Sequence, residues 1–264
     1  MLPEITTSDA LLIIDYQNDF LPSCLYTHFR RGSLAVPGGD EINERLLRLC
    51  EHFSEKGGVV VATLDYHPRN HCSFLEFGGP YPVHCVQSTF GARLCAPLAA
   101  YLDGNPRTIV AYKGIYTHVE SLEAISDEHG KGAFVLDTSG PLAASPPDIA
   151  AVFTQIPLLK YLRSRGIRRY FLCGLALDYC VLETALALRR VNEQQVYVIE
   201  DACAALGNSR KIRDTLATLE AQGVRVITSS LGASSFTQRL YLWWWSWWSS
   251  LLDLARALPE SRVA

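Results

Sequence analysis

No Cys-x-x-Cys pair occurs among the eight cysteines of this chain, and no apolar run reaches the roughly 20 residues that a membrane span requires. The start, "MLPEITTSDA", lacks the basic residues and apolar core of a secretory leader. Scattered thiols behind such a start read as reduced rather than bridged, and a cytoplasmic or organellar-matrix protein is expected. A basic run interleaved with aromatics is also missing, and the formal charge is −3, so nucleic acid is excluded as a partner. No Gly-x-Gly-x-x-Gly follows the first apolar run, which argues against a dinucleotide-dependent oxidoreductase. Charged residues make up 19% and hydrophobic residues 48%, a globular balance.

One local excess stands out. All five tryptophans fall in "LWWWSWWSSLL", residues 242–252. Such a patch fits a membrane interface, a surface covered by another subunit in a homo-oligomer, or a tail packed on its own domain. The expected organisation is one domain over 1–232 and a Trp-rich appendage over 233–264.

Six short apolar runs read as strands: "ALLIID" (10–15), "GVVVATLD" (58–65), "RTIVAYK" (107–113), "RYFLCG" (169–174), "VYVIED" (196–201) and "VRVITS" (224–229). They are continuous rather than alternating, as strands covered on both faces should be. Helix-period segments separate most of them. In "DEINERLLRLCEHFSEKGG", Ile42, Leu46, Leu49 and Phe53 form one stripe, with Asp40 as the expected N-cap and Gly57 as the stop. Residues 157–166, 179–193 and 209–223 follow the same scheme. The pattern predicts an α/β fold: a six-stranded, mainly parallel sheet with helices on both faces, a three-layer Rossmann-type arrangement. Residues 114–156, rich in Gly, Ser and Pro, fit this poorly and read as an insertion over one edge, with room for a hairpin.

Ligands of an open parallel sheet bind beyond the carboxyl ends of its strands. Those ends carry Asp15 in "IIDYQNDF", Asp65, His67 and His71 in "LDYHPRNH", Lys113, and Cys180 in "FLCGLALDYCVLETALAL". Each alone has an ordinary structural explanation; the weight lies in their coincidence on one rim. Asp178 or a neighbour is expected to start a helix with Cys180 in its first turn, where the dipole favours thiolate. Backbone N–H groups at the same bend suit an oxyanion. Asp15 would serve as general base, and Lys113 would hold that carboxylate ionised. Asp65 and His67, two apart in extended chain, leave the same face. With a further histidine, His84 in "GPYPVHCVQSTFGA", they form a carboxylate–imidazole set suited to one divalent metal: zinc, or manganese or iron.

With these residues in view, the chain resembles the nicotinamidase group of the isochorismatase-like cysteine hydrolases. The resemblance rests on "ALLIIDYQNDF", "GSLAVPGGDEI", "DYHPRNHCSF", "YPVHCVQSTFGA", "YKG" and "GLALDYCVLETALAL", in the family's order over residues 10–230 apart from the 114–156 insert. It implies metal-dependent hydrolysis of nicotinamide to nicotinate and ammonia through a cysteine thioester, in NAD salvage. Asp15, Lys113 and Cys180 match the family's triad, and Asp65, His67 and His84 its metal ligands. His71 matches a ligand used by some members only. The bond Leu175–Ala176 falls where the family has a cis non-proline peptide, which aims the N–H groups of Ala176 and Cys180 at the oxyanion. Phe20 matches an aromatic that packs on the substrate ring, and Tyr81 and Leu175 are placed with it. Tyr81 stands where the family often has Trp. "VESLEAI" replaces the usual Tyr-Ser-Ala-Phe-like segment after the lysine. Alternatives are a related cysteine amidase acting on carbamoyl or ureido substrates, and a non-catalytic binding module using the Trp-rich tail.

Overall fold

A computed structural model describes residues 1–105, 107–126, 131–136, 155–193 and 195–231. The apolar runs become strands, in chain order β1 (Asp9–Ile14), β2 (Val59–Asp65), β3 (Thr108–Lys113), β4 (Phe134–Leu136), β5 (Gln155–Pro157), β6 (Arg169–Gly174), β7 (Gln195–Cys203) and β8 (Arg225–Ile227). They form one sheet in the order β5-β4-β3-β2-β1-β6-β7-β8. The six expected strands are mutually parallel, while β4 and β5 join antiparallel beyond β3. The sheet thus has eight strands rather than six. The extra pair comes from the segment read as an edge insertion; three-residue strands are too short to leave a periodic signal. Residues 127–130 and 137–154 of that insertion, and the Trp-rich appendage, lie outside the described residues.

Side chains alternate across β1. Leu11 and Ile13 enter a core with Leu46, Leu49 and Phe53 of α1 (Asn43–Glu55) and Leu98 and Tyr101 of α2 (Ala96–Asp103). Ala10, Leu12 and Ile14 enter a second core. There they meet Leu158 and Leu162 of α3 (Leu158–Ser164), Ala185 and Leu188 of α4 (Leu182–Arg190) and Leu219 of α5 (Ser209–Ala221). Helices therefore cover both faces, which is why the strands read as unbroken apolar runs. Among the described residues no helix is long and apolar enough to cross a membrane.

Two helix starts differ from expectation. Residues 40–42 form a turn, and α1 begins at Asn43 with no side-chain cap from Asp40. Gly57, at φ +80°, does end the helix as expected. Asp178 does not cap the helix after β6 either: its carboxylate accepts from the N–H groups of Leu206 and Gly207 at 3.0 and 2.9 Å, tying down the loop after β7. Cys180 sits in a π-helical turn, Leu177–Val181, that precedes α4. Such turns are rare and concentrate at functional sites.

Candidate active site

Four neighbouring strands aim their carboxyl ends at one place. Asp65 and Lys113 are register partners on β2 and β3, and Ile14 pairs with Gly174 across β1 and β6. A Cβ on Gly174 would lie 2.3 Å from the Ile14 carbonyl oxygen, so only glycine lets β6 run this close to β1 before the chain turns toward Cys180. Asp15 follows β1 at φ +47°, a left-handed conformation costly for a non-glycine residue and typical of sites that must aim a side chain.

Lys113 is the centre of the cluster and is wholly buried. Its Nζ lies 2.9 Å from Asp15 Oδ2, 2.5 Å from Asp65 Oδ1 and 3.6 Å from Cys180 Sγ, and also donates to the Ser121 carbonyl at 3.2 Å. One carboxylate oxygen each of Asp15 and Asp65 lies within 4.8 Å of the Cys180 sulfur and of each other. The structure thus brings the acid, the lysine and the thiol together. Thr63, the hydroxyl-bearing residue of β2, donates to Asp15 Oδ1 at 2.7 Å and accepts from the Asp15 N–H at 3.2 Å. That leaves Oδ2, apart from its ion pair with Lys113, without a hydrogen-bond partner and able to receive a proton.

The electrostatics revise one expectation. Burial pushes the Cys180 thiol well up; Lys113 opposes this, while Asp15 and Asp65 add to it. Desolvation outweighs the helix-end effect, so the resting sulfur keeps its proton. Burial also raises Asp15, against the pull of Lys113 and Thr63. Lys113 is held charged: burial disfavours the ammonium, but Asp15 and Asp65 more than compensate. A raised carboxyl beside a neutral thiol is a stronger base than an exposed aspartate.

Beside this cluster, Asp65 Oδ2 faces His67 Nε2 at 3.7 Å and His84 Nε2 at 4.0 Å. Both are separations that two metal–ligand bonds of about 2.1 Å each can bridge. The tautomers are set from outside. His67 Nδ1 donates to the Gly114 carbonyl at 3.0 Å and His84 Nδ1 to the Pro82 carbonyl at 2.8 Å, leaving both Nε2 lone pairs directed inward. His67 Nε2 is buried with no hydrogen-bond partner. An orphaned imidazole nitrogen facing a carboxylate and a second such nitrogen fits a divalent metal. Gln17 holds this wall: Oε1 accepts from the Asp65 N–H at 2.9 Å, and Nε2 donates to the Asp65 and Ala92 carbonyls, each at 2.8 Å.

His71 does not join the set. Its Nε2 donates to the Val119 carbonyl at 3.2 Å, and its Nδ1 accepts from the Ser73 N–H at 3.3 Å and meets the Ser73 hydroxyl at 2.7 Å. Its ring stacks on His67 at 4.1 Å between centroids, so it buttresses a donor instead of supplying one. Burial lowers it to about 4, as suits a neutral ring.

A pocket opens onto Cys180, Asp65 and His84. Phe20, Tyr81, Leu34, Val36, Leu122, Tyr179 and Leu206 wall it, and Glu120 and Ala176 complete it. Phe20 and Tyr81 flank His84, with ring centroids 5.6 and 5.9 Å away. The Leu175–Ala176 peptide is cis, and Ala176 and Cys180 both line the pocket. Leu175 does not: fully buried, its side chain belongs to the core against α1, where an apolar group is better accommodated than at a polar rim. Thr63, Gln17, Glu120 and the aliphatic walls had no role assigned from sequence. Thr63 carried a usable signal, a hydroxyl inside a buried apolar strand.

Fold and site together define a doubly wound α/β protein with a buried acid–lysine–thiol centre beside a carboxylate–imidazole donor set. The isochorismatase domain profile matches residues 9–136 and 150–230, and the chain belongs to that family. It is similar to the nicotinamidase of Escherichia coli, 32% identical over 209 residues that cover 74% of this chain and 82% of that protein. Among solved structures, it resembles PnC1 from L. infantum in complex with nicotinate, with TM-score 0.66 and 31% identity, covering 87% of this chain and 98% of that one. It also resembles the pyrazinamidase of Pyrococcus horikoshii in complex with zinc, with TM-score 0.63 and 29% identity, covering 84% and 99%.

Proposed function

We propose that the protein hydrolyses nicotinamide to nicotinate and ammonia, with Cys180 as nucleophile. The observation that carries this is the meeting of Asp15, Lys113 and Cys180, far apart in sequence, within one buried cluster where Cys180 opens onto a pocket walled by Phe20 and Tyr81. Similarity to nicotinamidases supports the substrate.

On this reading the amide ring lies between Phe20 and Tyr81. The Cys180 proton passes to Asp15 Oδ2 as the sulfur bonds to the amide carbon. Negative charge on the carbonyl oxygen is received by the N–H groups of Ala176 and Cys180. Asp15 returns its proton to the departing nitrogen, the C–N bond breaks, and ammonia leaves a thioester. Water then gives a proton to Asp15 and bonds to the carbon; the C–S bond breaks and the sulfur regains its proton. Lys113 stays charged throughout and steadies both carboxylates. Asp65, His67 and His84 would hold a divalent ion, taken here as zinc, which would supply a Lewis-acid anchor for the pyridine nitrogen. Eight unpaired cysteines support a reducing compartment such as the cytoplasm, where the product would enter NAD salvage.

The test is ammonia release from nicotinamide. Cys180→Ala should lower kcat at least about a thousandfold; a variant with normal turnover ends the proposal. Sister amidases on carbamoyl or ureido substrates share the triad, and the Asp65–His67–His84 set favours nicotinamide over them.

A further inference from the structure

Glu120 lies in "VESLEAI", where the chain departs from the family it resembles, and it is the one pocket-lining charge that the proposed chemistry does not use. Its Oε1 accepts from the Ser121 N–H at 2.7 Å, which fixes the side chain, and 32% of that side chain stays exposed. Oε2 stands 4.0 Å from His71 Nδ1. His71 does not neutralise it, because that nitrogen already accepts from Ser73 and the other ring N–H is given to Val119. Among the described residues Glu120 has no ion pair with a lysine or arginine. Its field also reaches Tyr81, His67 and His84, the ring-binding and metal-facing side of the pocket.

We infer that Glu120 is a specificity-determining residue that discriminates the neutral amide from the anionic carboxylate formed from it, and so speeds product release. This rests on the function proposed above. Lys113 and a divalent ion bring three positive charges to the pocket; Asp15 and Asp65 offset two of them. The pocket would then keep one net positive charge and retain an aromatic carboxylate. Glu120 removes that charge. A partly buried carboxylate acts on a ligand anion across a poorly screened gap, whereas the uncharged amide feels it little. Nicotinamide and nicotinate are nearly isosteric, so a purely steric role for Glu120 would change both affinities together.

The test uses the full-length, zinc-loaded protein. Dissociation constants for nicotinate are measured by calorimetry on wild type, Glu120→Gln, Glu120→Ala and Glu120→Asp. Those for nicotinamide are measured in the same four chains carrying Cys180→Ala. The ratio of the nicotinate constant to the nicotinamide constant should fall about three- to tenfold in the two neutral variants and persist in Glu120→Asp. Product inhibition by nicotinate should tighten in parallel. A ratio unchanged in both neutral variants, or altered equally in Glu120→Asp, overturns the inference. If wild type neither binds nicotinamide nor releases ammonia from it, the functional reading fails, and the role of Glu120 falls with it. Wild-type turnover with an unresponsive ratio sinks the role of Glu120 alone.

Discussion

Thr63 shows how much of the site depends on a residue that touches no substrate. Its hydroxyl holds one oxygen of Asp15 and leaves the other for the thiol proton. The same bond lowers the proton affinity of a carboxyl that burial raises. A general base loses function when protonated, so kcat/KM should fall as pH drops through the raised Asp15 pKa, above the ordinary 3.8. Lys113 is pushed well above its ordinary value and Cys180 reacts from its protonated state, so neither gives an alkaline limb near neutrality. Thr63→Val removes the lowering bond. Its acid limb should move to higher pH and kcat should fall about ten- to a hundredfold, with Thr63→Ser restoring both. A pH–rate profile checks this; an unmoved limb would make Thr63 a packing residue only.

At the scale of elements, the parallel strands were legible because their runs are apolar without alternation, and the rim could be assembled by asking what stands at each strand end. The acid, the lysine, the thiol and two donors, Asp65 and His67, were within reach of that question, whereas His84 was added from a loop away from any strand end. What was not legible depends on partners distant in sequence. Asp178 looked like a cap but spends its carboxylate on Leu206 and Gly207. The thiol's protonation follows from burial that no local window reports. Leu175 adjoins the pocket in sequence yet turns into the core. Helix α2, with Pro97 in its first turn, has little periodic contrast, and β4 and β5 were too short to register. The junction after β3 makes a sharp prediction. Gly114 has φ +61°, and a Cβ there would lie 2.4 Å from His67 Cε1. Gly114→Ala should displace that ring and cut bound metal at least about tenfold in affinity, as loss of an outer partner does. Metal analysis after dialysis at fixed free zinc measures it, and wild-type affinity would contradict the reading.

For the whole molecule, a metal that binds the folded chain stabilises it by mass action. Free zinc at about a hundred times its dissociation constant should add about 2.7 kcal/mol, raising Tm by roughly 5–10 °C at this chain length. The shift should disappear with a chelator and in His84→Ala. Persistence of the full shift in that variant would place the ion elsewhere. The same additions should control ammonia release, so calorimetry and turnover would report one occupancy.

Asp65 presents one oxygen to Lys113 and the other to His67 and His84. A single side chain is therefore shared by two pieces of chemistry, and neither can be altered in isolation. Withdrawing the ion leaves more of that anion's field on the ammonium, and through it on the acid across the cleft. Cation loading and the pH at which the base gains its proton should move together, in either direction of cause.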